Sequence, residues 1–234
     1  TMVRKGAFKD CHSLSKVIVS DIAAWCGIIY DGDDYNGDFP LGIAHHLYSD
    51  EDTEITELVI PEGVTKIEAR AFRDAQYITS VTIPNSVTTI KAEAFRGMHR
   101  LTSINIPDGV TSLEPYTFQD CQSLMSINIP NSVTEIGDEA FCAMSKLTSV
   151  NIPNNVRTIG DKAFYGCNGL TSVSIGSGVV SIGSEAFRNC HGDFNLTSFT
   201  VADDNIYYDS RNNCNAIIET ASDKLIWGCM NTII

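Results

Sequence analysis

The residues of this chain that could do chemistry are eight cysteines, five histidines and a run of acids near the N-terminus. Zinc sites use closely spaced Cys and His pairs, and the sequence contains no CxxC pair and no Cys/His spacing of that kind. His45 and His46 lie near acidic residues and could hold a metal, but adjacent side chains point apart on most backbones. We therefore expect neither a metal nor a cofactor.

Four aspartates lie in the stretch DGDDYNGDF, residues 31–39, and suggest a calcium loop. An EF-hand-like loop needs glycine at its sixth position and glutamate at its twelfth. Counted from Asp34, those positions hold Phe39 and His45, so the match fails twice. The sequence also lacks the nucleophile elbow GxSxG, the P-loop and the dinucleotide-binding GxGxxG pattern. These absences predict that the chain is not an enzyme.

Composition limits the kinds of partner. The formal net charge is −13, which argues against nucleic acid and against anionic membrane surfaces, since both require basic patches. The chain is 43% hydrophobic, enough to build a core, but no apolar run is as long as a membrane span. We expect no nucleic-acid partner and no membrane insertion by this chain.

An internal repeat places the remaining residues. Units begin at 23-residue intervals, and a seventh follows at Leu196 after a stretched sixth unit; the regular starts are Ile55, Ile78, Leu101, Leu124, Leu147 and Leu170. A period of this length is typical of a solenoid, in which each unit forms one coil. Stacked coils bury apolar faces that a single coil leaves exposed.

One unit, residues 101–123, predicts the path of a coil. LTSINI alternates apolar and polar residues like a short strand, and Pro107 then ends the strand because proline has no N–H to donate. Phe118 and Cys121 are three residues apart, the spacing of a helical turn. Equivalent strands should pair in parallel, and the phenylalanines should form one buried column: Phe72, Phe95, Phe118, Phe141, Phe164 and Phe187.

The repeat also assigns the cysteines. One column contains Cys11, Cys121, Cys167 and Cys190 together with Ala75, Met98 and Met144. Alanine and methionine cannot form disulfides, so this column predicts buried, reduced thiols that act as small apolar residues. The column of Cys142 is mostly polar, so we expect Cys142 to face solvent and to react first.

The units resemble the BspA-like leucine-rich repeats, also called Treponema-type repeats; LTSVNIPNNVRTIGDKAFYGC at 147–167 matches that pattern closely. The resemblance implies an α/β repeat solenoid: a right-handed, curved leucine-rich-repeat coil with a parallel β-sheet, 23-residue repeats and short helical turns. It divides the single solenoid, 1–234, into a partial repeat (6–20), an expanded repeat with an insertion (21–54), regular repeats (55–201), an inserted hairpin (202–230) and the start of a truncated repeat (231–234).

Function is implied by the same resemblance. Members of this family are mostly surface or secreted proteins associated with adhesion, so we expect a fragment of a longer extracellular or cell-surface protein. The expected role is non-catalytic binding of a protein partner, such as a host matrix or cell-surface protein. A glycan-binding module and a structural spacer are the alternatives.

Two candidate binding surfaces follow. The first is the insertion, where Trp25, Tyr30 and Tyr35 could anchor a partner; the other interpretation is a small core that closes the insertion over its neighbour. The second is the outward column of the sheet with Asn105, Asn128 and Asn151, although asparagine also simply suits exposed strands. The aromatic insertion is the site on which the glycan-binding alternative depends.

Overall fold

A computed structural model describes residues 1–31, 39–190, 196–229 and 232. The chain folds as a parallel-strand β-solenoid of about eight coils with 23-residue repeats, which confirms the predicted architecture. In chain order the strands are β1 (Met2–Val3), β2 (Val17–Ile18), β3 (Ile29–Tyr30), β4 (Leu47–Tyr48), β5 (Glu57–Val59), β6 (Lys66–Ile67), β7 (Ser80–Thr82), β8 (Thr89–Ile90), β9 (Ser103–Ile104), β10 (Ser112–Leu113), β11 (Glu135–Ile136), β12 (Ser149–Ile152), β13 (Thr158–Ile159), β14 (Ser172–Ile175), β15 (Ser181–Ile182), β16 (Ser198–Val201), β17 (Tyr208–Asp209), β18 (Ala216–Glu219) and β19 (Lys224–Gly228).

The regular coils form two parallel strand ladders. The first ladder uses the strand at the start of each unit and joins β5, β7 and β9, and separately β12, β14 and β16. The second ladder uses the short strand in the middle of the unit and joins β6 with β8, and β10 through β11 and β13 to β15. Paired residues have equivalent positions in their units, as Ser149 pairs with Ser172. The repeat period therefore sets the register directly.

The turn after the second strand differs from the predicted helical turn. In the coil at 68–75, Ala71, Arg73 and Ala75 each donate a backbone hydrogen bond to the residue three positions earlier, so the segment is a run of overlapping β-turns. Arg70 and Asp74 have positive φ angles of 64° and 60°, which interrupt a helical path. So short a segment also gains little from helix formation, whose first turn is costly.

These turns build a third ladder, here called the turn ladder. Between the overlapping turns, alternate N–H groups point to the next coil: Arg70 N donates to Ala92 O at 3.1 Å, and Phe72 N to Ala94 O at 2.9 Å. Equivalent bonds recur at every step from the coil at 70–74 to the coil at 184–188. The turn face is thus hydrogen-bonded without interruption along the regular repeats.

The core is a set of stacked columns, and the phenylalanine column is buried as predicted. The rings of Phe72, Phe95, Phe118, Phe141, Phe164 and Phe187 lie parallel, with neighbouring centroids 5.1–6.0 Å apart. Phe199 ends the column with an edge-on contact to Phe187 at 5.5 Å. Burial of each ring removes apolar surface from water in every coil, so the column stabilises the stack along its length.

Irregular segments lie at the two ends. Near the N-terminus, β1 pairs with β3 and β2 with β4, while the helices α1 (Ile22–Cys26) and α2 (Pro40–Ala44) belong to the insertion. Near the C-terminus, a 3-10 turn (Arg211–Asn213) precedes β18 and β19, which form an antiparallel hairpin that also pairs with β17.

The cysteines are free thiols, and two of the sequence expectations about them are wrong. Cys11 is exposed, although its column is buried elsewhere, and Cys142 is buried although we expected it to face solvent. Cys121, Cys167 and Cys190 are buried as predicted. Each of these three donates its S–H to the phenylalanine carbonyl of the preceding coil, at 3.0–3.2 Å.

Candidate binding surfaces

The outward side of the first ladder, here called the first-strand face, is the most regular exposed surface. Strand residues alternate in burial, so that in β12 Val150 and Ile152 face the core while Ser149 and Asn151 face solvent. The outward residues form two columns of short polar side chains: Glu57, Ser80, Ser103, Ser126, Ser149, Ser172 and Ser198, and Val59, Thr82, Asn105, Asn128, Asn151, Ser174 and Thr200. Such a face offers many hydrogen-bonding groups and little charge.

Two apolar side chains interrupt this polar surface. Val59 begins one outward column and is 62% exposed, and Met125, at the start of its unit, is also 62% exposed. Equivalent positions hold threonine or asparagine in most neighbouring coils. Large exposed apolar residues on an ordered surface are the ones that gain most from being covered by a partner.

A cleft of about 400 Å³ lies at the C-terminal end of the first-strand face. Its lining includes Asn151, Ser174 and Thr200 from three successive strands, and Asp203 from the corner that follows β16. Ser174 Oγ donates to Asn151 Oδ1 at 2.5 Å, so the side chains are ordered by one another. The cleft can therefore offer fixed donors and acceptors to a polar ligand group.

The three asparagines that the sequence singled out have different environments. Asn105 is exposed, but its side chain is engaged: Ile83 N donates to its Oδ1 at 2.9 Å, and its Nδ2 donates to Ile83 O at 2.7 Å. Asn151 is bonded to Ser174 in the cleft. Asn128 is exposed in a segment that forms no strand although it is described. The column is therefore one surface but not one continuous sheet.

The aromatic residues of the insertion are packed rather than displayed. Trp25 is half-buried against the core, and its Nε1 donates to Ala71 O at 2.7 Å. Tyr30 meets the edge of Phe39 at 6.3 Å, and burial raises the pKa of its hydroxyl to about 12. Tyr35 lies outside the described residues. These contacts favour the small-core interpretation for Trp25 and Tyr30.

Histidines help fasten the insertion to the first regular coil. His45 Nδ1 lies 3.3 Å from Asp74 O, while His46 stacks on Tyr77 at 3.8 Å and meets Glu54 Oε1 at 2.6 Å. The two adjacent side chains thus contact different groups, as expected from their positions in the chain. Across the described residues, no group of three or more His, Cys, Asp or Glu side chains is arranged to hold a metal.

A buried charge cluster under the insertion was missed by the sequence reasoning. Glu93 accepts from Arg70 at 2.9 Å, Arg73 at 2.6 Å and Arg96 at 3.1 Å. Burial opposes ionisation of Glu93, but the three guanidinium groups outweigh it and hold its pKa below the ordinary value. Arg73 also lies over the ring of Phe39 at 4.7 Å. The signal in the sequence was that Arg73 and Arg96 occupy equivalent positions in successive units, with Glu93 three residues before Arg96.

The buried thiols have little nucleophilic character. Burial raises the pKa of Cys26 and Cys190 to about 12, and it raises that of Cys121, Cys142 and Cys167 as well. Since the thiolate is the reactive form, these groups are inert at neutral pH. Their geometry is that of core residues.

The comparison with protein families fits this architecture. A family described as "BspA type Leucine rich repeat region" matches in six copies, at residues 43–167 and 135–224. The chain belongs to the BspA-type leucine-rich repeat family. The sequence resemblance is thereby confirmed. The comparison with curated proteins found no match.

Solved structures of leucine-rich repeat proteins show the same fold. A leucine-rich repeat protein of Treponema pallidum is 31% identical with a TM-score of 0.59, over 62% of this chain and 69% of that one. One from Bacteroides ovatus is 24% identical with a TM-score of 0.59, covering 86% of this chain and 47% of that one. A leucine-rich cell surface protein of Faecalibacterium prausnitzii is 27% identical with a TM-score of 0.52, covering 74% and 56%. This BspA-type chain thus spans about half the length of the latter two.

The helices that the structure describes are short, and none has the length and apolar character needed to cross a membrane.

Proposed function

We propose that this chain is a non-catalytic module that binds a protein partner on its first-strand face, within a bacterial surface or secreted protein that adheres to a host or to other cells. The observation that carries the proposal is the first-strand face itself. It presents ordered columns of short polar side chains, broken by the exposed Val59 and Met125. A protein of similar structure is described as a leucine rich cell surface protein.

The face suits a protein better than a small molecule. The outward columns extend over seven successive units, from Glu57 to Thr200, so contacts are spread over a long surface. Solenoids use such extended faces for large ligands. Individual polar contacts should contribute little, and the exposed apolar residues should contribute more.

Binding through the aromatic insertion, whether to a protein or to a glycan, has less support. Trp25 and Tyr30 make the internal contacts described above, and displaying either ring would break them. The side chain of Trp25 would also lose its hydrogen bond to Ala71 O. We therefore favour the first-strand face over the insertion as the site.

A matched pair of double variants tests the face. S149K/T200K places two lysines on the first-strand face, and T158K/S181K places two on the second ladder with the same change of charge. Wild type and variants are screened against extracellular-matrix proteins and a glycan array, with folding checked by circular dichroism. We expect a protein ligand whose binding is lost in S149K/T200K and kept in T158K/S181K. Binding that survives S149K/T200K but disappears in Y30S would instead place the site in the insertion.

A further inference from the structure

Both strand ladders are interrupted beside one coil, that of residues 101–123. The first ladder pairs β9 of this coil with β7 of the coil before it, but residues 124–130, all of them described, contain no strand. The second ladder pairs β10 of the same coil with β11 of the coil after it, and within the described residues no pairing joins β10 to β8. Through the first ladder this coil is paired only with the coil before it, and through the second ladder only with the coil after it.

A threonine column explains where the first ladder is weak. From Thr79 onward, each threonine at this position links two coils twice, since its N–H and its hydroxyl donate to the same carbonyl of the preceding coil. Thr102 does so to Thr79 O at 2.8 and 3.0 Å, and Thr171 to Thr148 O at 2.8 and 2.9 Å. Met125 occupies the column between them and has no hydroxyl. Within residues 101–130, which are all described, neither a backbone nor a hydroxyl hydrogen bond joins Met125 to Thr102 O.

The neighbouring coils contribute to the interruption as well. Strand β9 ends at Ile104 because the side chain of Asn105, rather than its backbone, makes the next two hydrogen bonds to Ile83. On the other side of the gap, Thr148 N donates a backbone hydrogen bond to Met125 O at 3.1 Å. In the first ladder, strand pairing resumes only at β12, whose partner is β14 in the following coil.

The turn ladder crosses the same coils without a break. Gly97 N donates to Gln119 O at 2.8 Å, and Phe118 N donates to Ala140 O at 2.8 Å. The ring of Phe118 lies 5.7 Å from both Phe95 and Phe141. At each junction of this coil, the turn face and the core therefore hold the halves together with the one strand ladder that remains paired.

We propose that the coil of residues 101–123 is a bending joint. The first-strand face is divided there into an N-terminal patch (β5, β7 and β9) and a C-terminal patch (β12, β14 and β16). The two patches change their relative angle by opening and closing the gap at residues 124–130, and the unbroken turn ladder is the hinge line. A long binding face built in this way adapts its curvature to a partner, and it does so at one defined place.

Hydrogen exchange of the single-residue variants M125T and T148M tests the cause. M125T restores the threonine hydroxyl, and we expect amides 125–129 to exchange about fivefold more slowly, the effect of one hydrogen bond. T148M is the matched variant: it removes the same hydroxyl one coil further along, and amides 148–152 should exchange about fivefold faster. Equal protection of residues 126–129 and 149–152 in wild type overturns the proposal, as does an M125T variant whose exchange is unchanged.

Distances between spin labels test the motion itself. Labels on T82C and T200C report across the joint, and labels on S149C and T200C report within the C-terminal patch; both pairs carry C11S, because Cys11 is the exposed native thiol. We expect a broader distance distribution across the joint than within the patch, and M125T should narrow only the former. If the two label pairs give equally narrow distance distributions in the protein that keeps Met125, the joint is rigid and the proposal is overturned.

Discussion

Replacing Phe118 by leucine tests whether ring stacking itself stabilises the solenoid. Phe118 is fully buried and lies between two parallel rings, those of Phe95 and Phe141, each at 5.7 Å. Phe72 is equally buried but has one parallel neighbour, Phe95 at 6.0 Å. Leucine keeps most of the apolar burial in both places, so F118L and F72L differ chiefly in the number of ring pairs lost.

The expected difference follows from the cost of one pair. An aromatic pair contributes about 0.5–1.5 kcal/mol beyond burial of its area. F118L removes two pairs, about 1–3 kcal/mol, whereas F72L removes one, about 0.5–1.5 kcal/mol. F118L should therefore lower the free energy of unfolding by about 0.5–1.5 kcal/mol more than F72L does.

Urea unfolding monitored by circular dichroism and by tryptophan fluorescence measures this difference. Trp25 and Trp227 lie near opposite ends of the chain, so agreement between the two signals tests whether the solenoid unfolds in one step. If they disagree, hydrogen exchange of each coil replaces the global value. The reasoning is refuted if F72L destabilises as much as F118L while both variants keep the native spectrum.

Three further predictions concern the thiols, the buried charges and a glycine. In native protein at pH 8, a thiol reagent should label Cys11 first and leave Cys190 unmodified. A pKa of about 12 leaves only about one Cys190 side chain in 10⁴ as thiolate at that pH. Rapid labelling of several thiols before denaturation would contradict this prediction. Because the pKa of Glu93 is lowered on folding, its stabilisation is complete above the unfolded value of 4.5 and is lost as the pH falls through the folded value. Between pH 6 and pH 3 the urea midpoint of wild type should thus fall more than that of E93Q, and equal falls would reject the assignment. G160A should lower the free energy of unfolding by about 1–3 kcal/mol, because the added Cβ would lie 2.6 Å from a backbone nitrogen of the preceding coil. G27A is the control: its Cβ would be 3.5 Å from the nearest atom, so urea unfolding should show a smaller loss of stability.

The repeat predicted those parts of the fold that depend on stacking alone. When every unit places an apolar residue at the same position, coils can be superimposed in only one register, and the pairing of Ser149 with Ser172 follows from the period. Burial of the phenylalanine column follows in the same way. Turn conformation does not, because a spacing of three between Phe118 and Cys121 fits a helical turn and overlapping β-turns equally well.

Burial of single residues was harder to predict where a side chain is covered by a neighbouring coil. Cys142 has polar residues at equivalent positions, which suggested exposure, but it is buried, and Gln119 and Glu139 lie close enough to affect its pKa. Arg73 and Gln119 share its column and are buried for the same reason, each bonded to a glutamate twenty residues further along. A period describes columns along the solenoid, whereas these contacts run diagonally between columns.

For the candidate binding site, sequence reasoning failed for a different reason. Sequence reasoning selected the insertion because aromatic residues anchor interfaces, yet the aromatic rings it could name also pack well inside a protein, and Trp25 does so. The first-strand face draws attention through its exceptions: an exposed valine at 59 and an exposed methionine at 125 in columns of polar residues. In a repeat protein, the residues that stabilise the fold are the ones that recur. Those that depart from the repeat without a stabilising contact are the better candidates for recognition, and Met125 departs from it in the segment where the first ladder is interrupted.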